Sequence, residues 1–211
     1  MNIIPHSPSR HSLREALNYR GCLICYVLEK YENDWMAYFQ YQILTNEKVR
    51  QDLIASNGYC NDHFYVMSRL SSPIVNAILT RGLIERDMGE IDKGSFESKR
   101  AIHCPACQEM KEQEDFYLKE LKNFLSDEAF QKEYEGTDGL CQIHLRKMLN
   151  SIDEGLSQFL LKTQGIQLRR LKDELEAFIS KVRSTSRDMK EEKNSWWIAI
   201  EKLVGKKGLR E

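Results

Sequence analysis

The chain has 211 residues, of which 41% are hydrophobic and 30% are charged, and its formal net charge at pH 7 is −1. The apolar content is sufficient for a hydrophobic core. The nearly balanced charge provides no overall field that would attract nucleic acid or an anionic membrane surface. We therefore do not expect nucleic-acid binding, and we expect a protein partner whose identity the sequence does not give.

No segment has the composition of an export signal or of a membrane span. Residues 1–17 lack an apolar run of signal-peptide length, and no other stretch approaches the ~18 apolar residues of a membrane helix. These features predict a soluble, cytoplasmic protein. In a reducing compartment, cysteines seldom pair as disulfides, so the clustered spacing of the six cysteines indicates metal or redox chemistry.

Helix is the predicted conformation for most of the chain. Proline and glycine number only 4 and 11, and no segment alternates apolar and polar residues over the length of a strand. The first long helix is expected from Ile24, because apolar residues recur there at steps of three or four. The positions on this face are Ile24, Leu28, Tyr31, Trp35, Tyr38, Phe39 and Ile43.

Local signals mark the boundaries of the helices that follow. Thr45 or Asn46 is suited to cap the second helix, and Gly58 is suited to end it. The third helix is expected in "YCNDHFYVMSRL", and the fourth in "SSPIVNAILTRGLIERDM", where proline fits a first helical turn. Near the other end of the chain, Ser151 and Glu154 form a capping-box pair that precedes a long closing helix.

The second half of the chain repeats the pattern of the first. Cys22 and Cys104 are 82 residues apart, and Cys60 and Cys141 are 81 residues apart. The stretch "LTNEKVRQDLIASNGYCNDHF" aligns with "LSDEAFQKEYEGTDGLCQIHL", so that caps, glycine, cysteine and histidine keep their register. This agreement predicts an internal duplication. Two repeats are too few for a solenoid, which needs ~3 or more, and we expect them to pack about a pseudo-twofold axis.

These patterns predict an all-α protein in which two helical repeats form one globular domain. The expected segments are an N-terminal tail (1–19), a first metal-binding repeat (20–88), a linker (89–101), a second metal-binding repeat (102–182) and a C-terminal segment (183–211). The last segment contains a short amphipathic helix, which either folds back on the bundle or binds a partner or a membrane surface. The apolar residues that it presents are Trp196, Trp197, Ile200 and Leu203, and the basic residues that follow are Lys206, Lys207 and Arg210.

Each repeat contains a Cys-x2-Cys pair and, after a helical hairpin, a Cys-x2-His pair. A two-residue spacer lets both side chains of a pair point at one ion, and within a helix it places them on one face. Three thiolates and one imidazole fill a tetrahedron, which is typical of structural zinc, since catalytic zinc keeps one position open. The sequence predicts two zinc ions per chain, one in each repeat. The predicted ligands are Cys22, Cys25, Cys60 and His63 for the first ion, and Cys104, Cys107, Cys141 and His144 for the second.

Other interpretations of these residues remain open. Iron, bound singly or as a cluster, is compatible with three cysteines and one histidine. Buried structural cysteines beside hydrogen-bonded histidines are common in cores, but that interpretation does not explain why all six cysteines keep register. A redox Cys-x2-Cys motif usually follows a strand, which this sequence lacks.

The remaining candidate residues give no enzyme signature. His6, His11 and His103 are interpreted as surface histidines, although His103 lies beside Cys104 and is an alternative ligand. No Glu-x2-His pair of a ferritin-like dimetal site occurs, nor a phosphate-binding loop or a nucleophile elbow. The sequence gives no reason to propose catalysis. The aromatic residues Trp35, Tyr38, Phe39 and Tyr41 are interpreted mainly as core, with a ligand groove between the two halves as the alternative.

The motifs "GCLIC", "GYCNDH", "CPAC" and "GLCQIH", together with long helices and a Trp-bearing segment near Leu203, Val204 and Gly205, resemble an uncharacterised bacterial family. That family carries duplicated Cys-x2-Cys and Cys-x2-His pairs, and it is a domain of unknown function. The resemblance implies a helical metal-binding fold and no established activity. Leu23 stands where the second repeat has Pro105, so the first Cys-x2-Cys pair is expected to be less rigid and its site to lose metal first.

The resulting hypothesis is a structural zinc protein that acts as a binding or regulatory module. The alternatives are an iron- or thiol-based redox or electron-transfer protein, and a small-molecule carrier with a groove between the halves.

Overall fold

The computed structural model describes residues 10–94, 104–184 and 191–206. These residues form ten α-helices and one short 3-10 helix, and they contain no strand, which confirms the predicted all-α class. His6, His103, most of the predicted linker, Lys207 and Arg210 lie outside the described residues. The helices are α1 (Arg10–Ala16), α2 (Leu23–Thr45), α3 (Glu47–Ala55), α4 (Asn61–Leu70), α5 (Pro73–Asp92), α6 (Pro105–Phe124), α7 (Glu128–Glu135), α8 (Gln142–Leu149), α9 (Glu154–Arg183), the 3-10 helix (Glu191–Asn194) and α10 (Ser195–Val204).

The helices are distributed over two compact units. Of the described residues, unit 1 contains 29–94 and 104–113, and unit 2 contains 10–28, 114–184 and 191–206. Both unit boundaries fall inside a long helix, so α2 and α6 each contribute residues to both units. The boundaries of the two units therefore differ from those of the two sequence repeats. The duplication and its pseudo-twofold axis remain predictions.

Unit 1 is built around an aromatic core. Trp35 is 2% exposed, and its ring stacks on Phe39 with 4.0 Å between the centroids. Tyr59, which precedes the N-cap residue of α4, packs edge-on against Trp35. Asn46 begins α3 as its N-cap, because its side chain accepts a hydrogen bond from the backbone of Val49. The predicted cap is therefore Asn46 and not Thr45.

Unit 2 is organised by the 30-residue helix α9. Its N-cap is Asp153, whose side chain accepts a hydrogen bond from the backbone N–H of Leu156. The predicted capping box of Ser151 and Glu154 is wrong, because the Ser151 hydroxyl donates to the Met148 carbonyl instead. The aromatic rings of Phe130 and Tyr134 on α7 are almost fully buried in the core of this unit.

The C-terminal helix α10 packs within unit 2, although with the face opposite to the expected one. Its inward side chains include Glu201 and Lys202, each 3% exposed, and Ser195, which is fully buried. Ile198 is also buried, but the other large apolar residues face outward: Trp196, Trp197, Ile200, Leu203 and Val204 are exposed. Hydrogen bonds made by Glu201 and Lys202 hold the helix in this orientation, because buried charged groups require partners.

Candidate metal centres

The structure brings the eight predicted ligands together in two groups of three cysteines and one histidine. The unit-1 centre consists of Cys60, His63, Cys104 and Cys107, and the unit-2 centre consists of Cys22, Cys25, Cys141 and His144. Within each centre all ligand atoms lie within 4.8 Å of one another. Each centre thus combines the Cys-x2-Cys pair of one repeat with the Cys-x2-His pair of the other.

The predicted pairing of the ligands is therefore wrong, although the eight residues are the same. Cys22 and Cys25 were predicted to share an ion with Cys60 and His63 because these pairs are neighbours along the chain. In the folded chain, the start of α2 belongs to unit 2 with α8, and the start of α6 belongs to unit 1 with α4. Spacing within a pair is local geometry, whereas the choice of partner pair depends on tertiary packing.

All four ligand pairs occupy the same position at the start of a helix. The carbonyls of Cys22, Cys60, Cys104 and Cys141 each accept a backbone hydrogen bond from the residue four positions later, at 2.8–3.1 Å. The first residue of each pair is consequently at the N-cap, and the second lies in the first turn on the same face. Each centre receives two helix N-termini, whose partial positive charge favours thiolates.

The distances in the unit-2 centre describe a compact tetrahedron. Nδ1 of His144 lies 3.4 Å from Sγ of Cys22, 3.5 Å from Sγ of Cys25 and 3.2 Å from Sγ of Cys141. The Sγ atoms of Cys25 and Cys141 are 3.8 Å apart. One nitrogen of the imidazole thus faces all three sulfurs.

The unit-1 centre has the same arrangement. Nδ1 of His63 lies 3.0 Å from Sγ of Cys60, 3.5 Å from Sγ of Cys104 and 3.3 Å from Sγ of Cys107. The Sγ atoms of Cys60 and Cys107 are 3.6 Å apart, far beyond the ~2.05 Å of a disulfide bond. All six cysteines are free thiols.

These edges fit a single tetrahedral ion. With Zn–S bonds of about 2.3 Å and Zn–N bonds of about 2.0–2.1 Å, a regular tetrahedron has edges of about 3.8 Å between two sulfurs and about 3.6 Å between sulfur and nitrogen. The edge from Cys25 to Cys141 is 3.8 Å and that from Cys60 to Cys107 is 3.6 Å, while the sulfur–nitrogen edges of 3.0–3.5 Å are somewhat shorter than in the regular tetrahedron. In an iron–sulfur cluster the protein ligands are divided among two or more iron atoms, so ligand atoms on different irons lie farther apart than on a single ion.

The ionisation of the ligands follows from their mutual contacts. Burial by itself lowers the pKa of His63 and of His144. At each histidine the neighbouring thiolates and one carboxylate outweigh this effect, and they raise the pKa of His63 to about 10 and that of His144 to about 11. Burial raises the pKa of Cys104, but the contact with His63 lowers it by more, and the resulting pKa is about 6. Each group can thus hold a thiolate–imidazolium pair, and a bound cation would take the place of the shared protons.

A carboxylate lies behind each histidine, on the side away from the sulfurs. Nε2 of His63 is 3.3 Å from Oε1 of Glu32, and Nε2 of His144 is 3.0 Å from Oε1 of Glu114. The second contact is at ion-pair distance, and Nε2 of His144 makes no hydrogen bond to another described residue. Burial raises the pKa of Glu114, but the contacts with His144 and Lys147 lower it by more. The pKa of this carboxyl is therefore below its usual range. Such carboxylates orient a ligating imidazole and increase its basicity.

These two glutamates were not among the predicted site residues, although the sequence contains a signal for them. Glu32 and Glu114 are 82 residues apart, which is the offset between Cys22 and Cys104. Each glutamate follows the second cysteine of its Cys-x2-Cys pair by seven residues. Along α2 and α6 the register of the predicted duplication thus continues to these glutamates, which add a further matched position to each repeat.

Further polar residues hold the backbone around the unit-2 centre. The N–H of Cys22 donates to Oε1 of Glu201 at 2.6 Å, and the N–H of Gly21 donates to Oδ2 of Asp138 at 2.8 Å. Gln164 on α9 makes two hydrogen bonds of 3.1 Å with the backbone of Leu140, one as donor and one as acceptor. The segments that carry Cys22 and Cys141 are thus positioned by contacts independent of any ion.

The two centres differ in exposure. Within the unit-2 centre, His144, Cys22 and Cys141 are fully buried, whereas in the unit-1 centre Cys107 is exposed and His63 is 7% exposed. His11 is exposed and lies in neither group. Among the described residues, no other group of cysteine, histidine or acidic residues has the geometry of a metal site.

Comparison with protein families gives one match. A family of unknown function, DUF6062, matches residues 94–209, which is more than half of the chain. The chain belongs to this family. The resemblance to a domain of unknown function is thereby confirmed. The DUF6062 match contains Cys104, Cys107, Cys141 and His144, so it includes half of each centre and a complete set of ligands for neither.

The comparison with curated proteins and the comparison with solved structures give no match. None of the helices in the described ranges is long and apolar enough to cross a membrane.

Proposed function

We propose that the protein binds two structural zinc ions, one in each centre, and acts as a binding or regulatory module. The observation that supports zinc is the closed geometry: three sulfurs and one nitrogen converge with the edges of a zinc tetrahedron. Four protein ligands leave no coordination position for water or substrate, which is the distinction between structural and catalytic zinc.

A structural role also follows from what each ion would connect. In the unit-2 centre, Cys22 and His144 are 122 residues apart in sequence, and in the unit-1 centre Cys60 and Cys107 are 47 apart. An ion at these positions joins helix starts that are distant along the chain and closes large loops, which restricts the unfolded state. Zinc with three thiolates carries a charge of −1, which the two helix N-termini at each centre offset.

An iron- or thiol-based redox function is the second candidate. It is favoured by the location of Cys104 and Cys107 at the start of α6, with the pKa of Cys104 lowered to about 6 and with Cys107 exposed. Thiolates at helix N-termini react readily with oxidants and disulfides.

Metal analysis combined with an optical spectrum discriminates between these functions. Protein purified without chelator is expected to contain two zinc ions per chain and to be colourless, whereas iron–thiolate centres absorb visible light. A zinc content of one ion or none in the folded protein would contradict the proposal. A visible absorption band that disappears on reduction would favour the redox function instead.

We further propose that the protein is cytoplasmic and bacterial. The free state of all six cysteines supports a reducing compartment, and the resemblance described above supports the source.

A further inference from the structure

A groove with a volume of about 390 Å³ lies in unit 1, and none of the four ligands of the metal centre is among the residues that line it. One wall is the face of α2 formed by Trp35, Tyr38, Phe39 and Gln42, at helical spacings of three and four residues. The other wall is the first part of α6, and Val49 of α3 contributes at the side. The α6 residues that line the groove are Pro105, Gln108, Glu109 and Glu112.

Aromatic rings form one side of this groove. Tyr38 and Phe39 are half-buried, and their rings meet edge to face with 6.2 Å between the centroids. Phe39 in turn stacks on the buried ring of Trp35. This packing fixes the rings in place, so that the groove offers a rigid aromatic surface. The faces of such rings are electron-rich and attract cations.

Carboxylates occupy the opposite side. Oε1 of Glu109 accepts hydrogen bonds from the hydroxyl of Tyr31 at 2.7 Å and from the side-chain amide of Gln113 at 2.9 Å. Both bonds use the same oxygen, which holds the carboxylate in position while its second oxygen keeps its acceptor capacity. Glu112 follows Gln108 by about one helical turn on α6 and accepts a hydrogen bond from the side-chain amide of Gln108. Of the described residues that line the groove, two are acidic and none is basic.

We propose that this groove binds a small organic cation, such as a quaternary ammonium compound. The combination of fixed aromatic rings and carboxylates matches the two ways in which proteins stabilise an alkylammonium group: contact with ring faces and direct charge neutralisation. The volume is near the lower end of the ~300–1,000 Å³ that is typical of small-molecule sites, which favours a small ligand over a folded partner. The walls come from both sequence repeats, so the site depends on the tertiary fold.

The inference gives a ligand class to the proposed binding role and rests on that role, but it does not depend on the identity of the metal. Metal analysis can therefore contradict the zinc proposal while choline still binds, and choline can fail to bind while both zinc ions are found. The two failures are distinguishable.

Isothermal titration of the full metal-loaded chain at low ionic strength tests the proposal. The probes are choline and its neutral isostere 3,3-dimethylbutan-1-ol, which have nearly the same shape and differ in charge. Choline is expected to bind at least about tenfold more tightly than the neutral compound, because only the cation gains from the ring faces and from Glu109. Equal affinities for both compounds, or no binding of choline at millimolar concentration, would overturn the proposal.

Variants assign the binding to this groove. Glu109→Gln keeps a side-chain oxygen for Tyr31 and is expected to weaken choline binding about tenfold, while Glu112→Gln gives a smaller loss. Glu85→Gln is the matched control, since Glu85 is an exposed residue of the same unit that does not line the groove. Its affinity for choline should equal that of the unaltered protein. Circular dichroism and zinc content verify that each variant is folded. An unchanged affinity in Glu109→Gln, or binding of a lysine-rich peptide without binding of choline, would refute the assignment.

Discussion

The neighbour of Cys60 in space is Cys107, which follows it by 47 residues, and not Cys22 or Cys25. This arrangement can be tested by counting ions in double variants. Replacing both Cys60 and Cys104 with serine removes ligands from one centre and should leave one zinc ion per chain, the same content as Cys60→Ser alone. Replacing both Cys22 and Cys60 removes a ligand from each centre and should leave none.

Metal analysis of the purified variants measures this difference. The pairing within sequence repeats requires the opposite pattern, with one ion retained after loss of Cys22 and Cys60. That result would show the two centres to be assembled as the sequence analysis predicted.

The glutamate behind each histidine should affect metal affinity without being a ligand. Glu114→Gln removes the charge that faces Nε2 of His144, and loss of such a partner typically lowers metal affinity about 10–100-fold. Competition with a chromophoric chelator should therefore show one weakened ion of the two. Asp115→Asn is the control, because Asp115 is exposed on the same helix and is outside both groups. Equal weakening in both variants would indicate a general charge effect rather than orientation of His144.

The cysteines should differ in their order of reaction. The sequence analysis expected Cys22, Cys25, Cys60 and His63 to lose metal first, but those residues do not form one centre. Exposure instead predicts that Cys107, followed by Cys60 and Cys104, is alkylated first under a limiting chelator, since Cys22, Cys25 and Cys141 are at most 1% exposed. Mass spectrometry of the labelled peptides measures the order. Earlier labelling of the unit-2 cysteines would mean that local opening, and not static exposure, governs metal loss.

At the scale of helices and turns, the two metal centres depend on the turns that precede α4 and α8. Gly58 and Gly139 both have φ of +75°, in the region that favours glycine. A Cβ atom at Gly139 would lie 2.0 Å from Oε1 of Gln167, a buried side chain that donates to the Tyr134 carbonyl. The turn therefore requires glycine for both its backbone conformation and its close packing.

Gly139→Ala should accordingly destabilise unit 2 by about 2–4 kcal/mol, combining the cost of a left-handed alanine with displacement of Gln167. Gly89→Ala is the matched substitution, because Gly89 lies inside α5 with no atom within 4 Å of the added Cβ. There alanine should stabilise the helix by about 0.5–1 kcal/mol. Denaturant unfolding followed by circular dichroism compares the two. Similar effects of the same sign would show that the turn before Cys141 tolerates a side chain.

At the scale of the whole molecule, the fold should depend on the metal ions. Structural zinc has apparent binding free energies of about 10–16 kcal/mol in small peptides, whereas a typical domain has a net stability of only about 5–15 kcal/mol. Removal of the ions with a strong chelator should therefore lower the melting temperature and expose apolar surface. Thermal scans with and without chelator, together with binding of a fluorescent apolar dye, measure the change. An unchanged melting curve after verified zinc loss would reject the structural role.

Re-addition of zinc serves as the control for this experiment. Recovery of the original melting temperature attributes the loss to the ions rather than to oxidation of the thiols. Reductant is kept in all samples, because thiols released from the metal can form disulfides.

The sequence by itself determined the helical class and the identity of the candidate ligands. Helix periodicity, few prolines and capping residues such as Asn46 act over a single turn, so they can be read without a fold. The Cys-x2-Cys and Cys-x2-His spacings are equally local, since a separation of three residues at a helix start places two side chains on one face. The register between Glu32 and Glu114 was also present in the sequence, although it was overlooked.

Only the tertiary structure decided which pairs form a centre and which face of α10 turns inward. Both choices depend on contacts between residues far apart in the chain: Cys60 and Cys107 are 47 positions apart, Cys22 and His144 are 122 apart, and Cys22 and Glu201 are 179 apart. Packing of its apolar face on the bundle would bury the tryptophans of α10. The hydrogen bonds from Cys22 to Glu201 and from Lys202 to the Asp138 carbonyl instead hold the opposite face against the rest of unit 2. Periodicity records the composition of each face, whereas the partners available across the fold determine which face is buried.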